Sequence, residues 1–355
     1  MNIQGIDHIE MYVGDARQTA YVLCAAFGFR VRGQGGPETG LAGQRSLLLG
    51  QGDVRILVTT GLSADHPATG YVARHGDGVG VIGFGCGDIV EAYATAVAGG
   101  ATGLRPPTAH GDGVSTAVLS GFGDVTHRLV QRDGATDPFL PGAIDMIAPD
   151  PDHGDELLQL IDHAAICLPA GELHATVDFY TDAFGFGEIF SEYIEVGEQG
   201  MESRVVQSPS GGVTFTLIQP DTTRNRGQID DFVSWHGGAG VQHLAFATDD
   251  IVRAVHTFAG RGVGFARPPA SYYDVLRERV GDVDVDRLRE AGVLVDRDHW
   301  GQLFQIFTQS LHVRRTFFVE LIERHGARTF GSRNIRALYE AKERELAAQR
   351  ETASS

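Results

Sequence analysis

The chain has 355 residues, and its 46 Asp and Glu against 29 Lys and Arg leave a formal charge of -17. A surface this acidic repels phosphate backbones and anionic lipid, which argues against a nucleic-acid partner and against a membrane surface. The length exceeds what one hydrophobic core usually serves, so two domains are expected.

Cys24, Cys86 and Cys167 stand far apart without CxxC spacing, which excludes a thiolate zinc site and fits a reducing compartment. The opening Met-Asn-Ile-Gln-Gly runs straight into strand-like sequence, with no basic leader and no long apolar segment anywhere. The expectation is a soluble, cytoplasmic protein.

Residues 5–13 read as a strand and 16–27 as a helix with Tyr21, Cys24 and Phe27 on one side, closed by Gly28. The same order recurs at 160–168 (strand) and 173–184 (helix closed by Gly185), where Ala183-Phe184-Gly185-Phe186 matches Ala26-Phe27-Gly28-Phe29. A second match sets 78–84 and the helix after Asp88 beside 240–246 and the helix after Asp250. Each copy then reaches Arg-Pro-Pro, at Arg105-Pro106-Pro107 and Arg267-Pro268-Pro269. A third aligns 125–132 with 317–324. The chain is an internal duplication. Between the copies, 135–156 carries Pro138, Pro141, Pro149 and Pro151 among Asp and Gly, which is linker composition. The expected domains are therefore 1–134 and 157–355, the second ending in a helix from Asn334 to about 349.

The runs 303–308 and 317–324 read as strands of the second copy. Period 2 puts Phe318, Glu320 and Ile322 on one face, so Glu320 either reaches water at an edge or meets a positive partner. The repeat narrows the choice. His163 aligns with His8, but His243 aligns with Val81 and Glu320 with Arg128, so only the C-terminal copy holds two histidines and a carboxylate. That is the donor set of a non-haem Fe(II) facial triad, which leaves three coordination positions open. Ala165 and Cys167 beside His163, and Val241, Ala245 and Ala247 beside His243, are read as small neighbours that leave room for an ion and a ligand.

These residues resemble the vicinal oxygen chelate superfamily and, within it, the 2-oxo-acid-dependent dioxygenases typified by 4-hydroxyphenylpyruvate dioxygenase. The resemblance runs through Gly240 to His243, Pro269 with Tyr272-Tyr273-Asp274, Gln302 to Thr308, Phe318 to Arg324, and Phe330-Gly331-Ser332-Arg333-Asn334. It implies an α+β fold of tandem βαβββ modules in two barrel-like domains, the first without a metal site, and a C-terminal lid helix over about 332–350. It also implies Fe(II) on His163, His243 and Glu320, and 4-hydroxyphenylpyruvate and O2 as reactants. By the same resemblance Gln305, Ser203 and Thr214 orient the substrate, with solvent-facing strand positions as the alternative for Ser203 and Thr214, while Phe307 packs on its ring and Gln228 and Asn334 act through water. Tyr339 turns its hydroxyl either into the pocket or to solvent.

Homogentisate-forming members usually have Asn-Phe on the last helix and Pro-Ile/Leu-Asn in the central strand. This chain has Asn334-Ile335 and Thr216-Leu217-Ile218, similar to the hydroxymandelate-forming branch of the family. Ile335 in place of an aromatic wall and Ile218 in place of a polar anchor would let the ring tilt until its benzylic carbon is the one oxidised. The rivals are homogentisate formation, extradiol ring cleavage on the same donor set, and a sequestering protein without a metal. No oligomeric state is set by the sequence, with a homodimer as the candidate.

Overall fold

The structure is a computed structural model that describes the chain apart from residues 135–137, 149–155, 275, 277–279, 281, 282, 332, 333, 335 and 338–355. The first sheet contains β1 (Ile3–Tyr12), β2 (Arg30–Gly35), β3 (Gln44–Gln51), β4 (Val54–Gly61), β5 (Gly78–Cys86), β6 (Gly103–Gly111), β7 (Val114–Ser120), β8 (Thr126–Arg132) and β9 (Asp145–Met146). The second contains β10 (Ile161–Cys167), β11 (Gly187–Val196), β12 (Gln199–Gln207), β13 (Thr214–Pro220), β14 (Gly240–Ala247), β15 (Phe265–Ala266), β16 (Leu294–Arg297), β17 (Gln302–Thr308) and β18 (Phe318–His325).

The two sheets share a strand order. The first sheet runs β6-β7-β8-β5-β1-β4-β3-β2-β9 and the second β11-β12-β13-β10-β14-β18-β17-β15, with β16 also on β17. Read from the opposite edge, the second order places β10, β14, β18 and β13 where β1, β5, β8 and β4 stand in the first. The central pairings agree in sense as well. β1 with β5 and β10 with β14 are antiparallel, while β5 with β8 and β14 with β18 are parallel.

The crossover helices start and stop on local chemistry. In α1 (Ala16–Phe27) Asp15 caps the amides of Arg17 and Gln18, and Gly28 ends the helix at φ 80. In α2 (Leu173–Phe184) Gly185 does the same at φ 69. The buried face of α1 is Ala16, Ala20, Leu23 and Phe27, whereas Tyr21 is 75% exposed. The expected Tyr21-Cys24-Phe27 stripe therefore fails at Tyr21. Small Ala16 and Ala20 let the helix lie close on its sheet, and that decides which face turns in.

The helix faces of both sheets share one core. Phe27 meets Phe258 at 5.4 Å, Phe84 meets Phe184 at 5.6 Å, and His127 bonds the Tyr180 hydroxyl at 2.8 Å. The opposite, concave faces are separate. In the second sheet that face holds Ala165, Cys167, Ile194, Met201 and Ile218 in one cluster and Phe307, Phe318 and Ala337 in another.

The stretch read as a linker does more than connect. Among its described residues, β9 pairs with β2, and Phe139 and Ile144 pack with Leu48 and Leu57. The first sheet thus extends past residue 134, because apolar Phe139, Leu140 and Ile144 lie among the prolines that dominated the composition.

Candidate metal centre

β10, β14 and β18 are adjacent in the second sheet and supply His163, His243 and Glu320 respectively. Ala245 stands in register with both His163 and Glu320, so the residue between the two ligands is small. All three side chains are buried, Glu320 to 1% exposure. Glu320 Oε2 lies 3.3 Å from His163 Nε2 and 3.2 Å from His243 Nε2, and one ligand atom from each falls within 4.8 Å of the others. Neighbouring ligands about 2.1 Å from one ion are separated by about 3 Å, so these atoms stand where one ion could touch all three.

The electrostatics agree. Burial opposes the charge on His163, but Glu320 and Asp162 outweigh it and hold the imidazole's pKa up to about 9. Burial likewise opposes the Glu320 carboxylate, and the two histidines hold it down to about 2. The cluster is thus an anion awaiting positive charge, which a proton supplies when no metal does.

Both imidazoles are held from behind. His163 Nδ1 lies 2.8 Å from Asp162 Oδ1, and His243 Nδ1 lies 3.2 Å from Gln242 Oε1. Both partners are acceptors, so each Nδ1 carries a proton and Nε2 is the nitrogen turned to the site, with a lone pair to offer once the imidazole is neutral. A neighbour in sequence ordinarily points to the other face of a strand. Register shifts between Ile161 and His163, and between Ala165–His243 and Ile166–Val241, relax that rule. The second shift also corrects an expectation: Val241 packs in the core on the helix side, not beside His243.

Gln305 donates from Nε2 to Glu320 Oε1 at 2.7 Å and to the Phe330 carbonyl at 3.3 Å. Its oxygen accepts from Asn334 Nδ2 at 2.8 Å, and Asn334 Oδ1 accepts from the Tyr272 hydroxyl at 3.1 Å. The second oxygen of the carboxylate is therefore fixed by an amide that also holds Asn334. Phe318 stacks on His243 at 4.8 Å and Phe307 meets the same ring edge-on at 5.9 Å.

The other expected residues fall around this cluster. Ser203 and Ile218 are cross-strand partners, both buried, and Thr216 pairs with Ala165. The Thr216 hydroxyl is buried with no hydrogen-bond partner among the described residues, a group available to a ligand. Thr214 is buried and accepts from Gln207 at 2.9 Å. Gln228 opens α3 (Gln228–His236), half-buried, and the next residue, Ile229, packs with Ala165 and Ile218. Ile335 and Tyr339 lie outside the described residues. Asp162, Gln242, Arg324 and Phe318 were not read as site residues. The available signal was Asp-His in both copies and an arginine ending both last strands.

The first copy holds a fixed cation at the equivalent place. Arg128 Nη1 lies 2.9 Å from His8 Nε2 and its Nη2 donates to Glu10 Oε2 at 2.7 Å, while Thr59 donates to Glu10 Oε1 at 2.7 Å. A guanidinium contacts the histidine Nε2 that would otherwise be a ligand.

Comparison with known proteins agrees with this geometry. The family model described as Glyoxalase/Bleomycin resistance protein/Dioxygenase superfamily matches residues 5–138 and 160–306. The chain belongs to this superfamily. It is 33% identical to a 4-hydroxyphenylpyruvate dioxygenase of Pyricularia oryzae, over 98% of this chain and 91% of that one. A 4-hydroxyphenylpyruvate dioxygenase of Dictyostelium discoideum is 32% identical over 97% and 98%. Among solved structures, a mutant of 4-hydroxymandelate synthase from Streptomyces coelicolor superposes with TM-score 0.90 at 45% identity, over 98% of this chain and 100% of that one.

Proposed function

We propose that this chain catalyses Fe(II)-dependent oxidative decarboxylation and benzylic hydroxylation of 4-hydroxyphenylpyruvate by O2, giving 4-hydroxymandelate and CO2. The observation that carries the reading is the convergence of His163, His243 and Glu320 on one point, in the copy whose counterpart carries an arginine instead. The likeness to the synthase at 45% identity, against 33% for the dioxygenase from Pyricularia oryzae, supports the choice of product.

His163 Nε2, His243 Nε2 and Glu320 would hold the ion. Bound there, Fe(II) supplies O2 activation coupled to loss of the substrate's carboxyl group. The overall step balances: 4-hydroxyphenylpyruvate and O2 become 4-hydroxymandelate and CO2, with one oxygen atom entering the new carboxylate and the other the benzylic carbon. The protein's part is placement. Phe307 and Phe318 offer an aromatic wall beside His243, Gln305 and Asn334 set the carboxylate ligand, and Ser203, Thr214 and the Thr216 hydroxyl offer polar contacts. Ile218 leaves the central strand without an amide that could anchor the phenol. The expected tilt of the ring rests on it together with Ile335, and Tyr339 and Gln228 remain candidate contacts on the covering elements.

The two products are isomers, so mass does not separate them. Iron-loaded protein is incubated with 4-hydroxyphenylpyruvate in an oxygen electrode, and the aromatic product is identified by chromatography against standards. Dominant 4-hydroxymandelate is expected. Homogentisate, the product of the rival reading, would overturn the benzylic reading, and no oxygen uptake would overturn both.

A further inference from the structure

We infer that Asp162 and Arg324 are positioning residues, which act through His163 and lock that ligand to the segment that closes the site. The inference rests on the proposed metal role of His163. Arg324 grips Asp162 through two bonds, Nε to Oδ2 at 2.7 Å and Nη2 to Oδ1 at 2.9 Å, and Asp162 Oδ1 accepts the His163 Nδ1 proton. The same guanidinium donates from Nη1 to the carbonyls of Thr329 at 2.7 Å and Ala327 at 3.3 Å, and lies 5.3 Å over the Phe330 ring. Phe330 in turn meets the His163 ring edge-on at 5.2 Å. The loop is closed: imidazole, carboxylate, guanidinium, aromatic ring, imidazole.

The N-terminal half contains the same loop a second time. Arg132 grips Asp7 at 2.8 and 2.9 Å, and Asp7 bonds His8 Nδ1 at 2.7 Å. Arg132 Nη1 reaches the carbonyls of Pro138 and Phe139, its Cζ lies 5.6 Å over the Phe139 ring, and Phe139 meets His8 edge-on at 4.9 Å. The segment after the last strand of each copy is thus one device used twice. In the first copy it continues into a plug, with Phe139 and Ile144 packed on Leu48 and Leu57, over a histidine already held by Arg128. In the second, a cavity of about 970 Å³ runs along Asp162, Arg324, Thr329 and Phe330. There the histidine's Nε2 faces Glu320 and the proposed ion. A bidentate guanidinium–carboxylate pair fixes direction as well as charge, which a metal ligand requires.

The matched pair supplies its own control. Co(II) is titrated into the metal-free parent and into Asp162→Ala, Asp162→Asn and Arg324→Met, with affinity read by calorimetry and ligand geometry by the visible bands of bound Co(II). Asp162→Ala should weaken Co(II) binding tenfold or more, and Asp162→Asn, which keeps an acceptor, should recover part of that loss. Arg324→Met should alter the Co(II) spectrum and weaken binding. Asp7→Ala and Arg132→Met should lower thermal stability and leave Co(II) affinity and spectrum as in the parent. Parental affinity in Asp162→Ala, or an equal loss in Asp7→Ala, would show a merely structural pair and overturn the inference. A parent that takes up no Co(II) would instead remove the metal reading, and the brace with it.

Discussion

Replacing Arg128 with Met tests whether the first copy holds a fixed cation in place of an ion. Glu10 is 3% exposed, and its two oxygens have one partner each, Thr59 and Arg128, both at 2.7 Å. Met preserves much of the stem's volume but removes the only cation on Glu10 Oε2 among the described residues and the donor to His8 Nε2. Truncating one partner of a buried ion pair costs about 3–5 kcal/mol, because the remaining carboxylate must stay charged without compensation or take up a proton. Converting Glu10 to Leu in the same chain removes that stranded charge, so Arg128→Met with Glu10→Leu should regain most of the loss. The assay is urea unfolding followed by far-UV circular dichroism, since Trp235 and Trp300 both lie in the second copy and their fluorescence reports the other half. A loss below about 1 kcal/mol in the single variant, or no recovery in the double, would refute the reasoning.

Three further outcomes follow from the site. Below pH 9 the metal-free His163 is protonated, so Co(II) must displace a proton, and affinity should fall about tenfold per unit as pH drops; calorimetric titrations at several pH values check this, and a flat profile would contradict it. The metal-free protein should also gain stability from His163 that is complete below its ordinary pKa of 6.5 and lost as pH rises through about 9, and from Glu320 that is present above 4.5 and lost as pH falls through about 2. Thermal unfolding across that range should therefore peak between pH 4.5 and 6.5 for this pair's contribution, and Glu320→Gln should flatten the curve. Ile218→Asn combined with Ile335→Phe should move product toward homogentisate or toward decarboxylation without hydroxylation; an unchanged ratio would place the choice elsewhere.

Much of the site was legible because the two halves, read as copies, serve as a reference for each other. Glu320 could be told from an edge residue only because its counterpart is Arg128, and the structure places those two at equivalent positions of their sheets. The helices at 16–27 and 173–184 were readable to the residue, since each ends on a glycine at positive φ. Strand parity was not. A bulge before His243 turns Val241 to the helix side, and no composition rule marks where one extra residue enters a strand. The Asp162–Arg324 brace was visible as Asp-His and a terminal arginine in both copies, but its meaning needs distances between strands that sequence separation hides. The plug at Phe139 and Ile144 was obscured by surrounding prolines.

The most direct test is the number and address of the bound metal. Metal-free protein titrated anaerobically with Fe(II) should take up one ion per chain; His163→Ala, His243→Ala and Glu320→Ala should each lose it, and His8→Ala should keep it. Two ions per chain, or full retention in Glu320→Ala, would contradict the account.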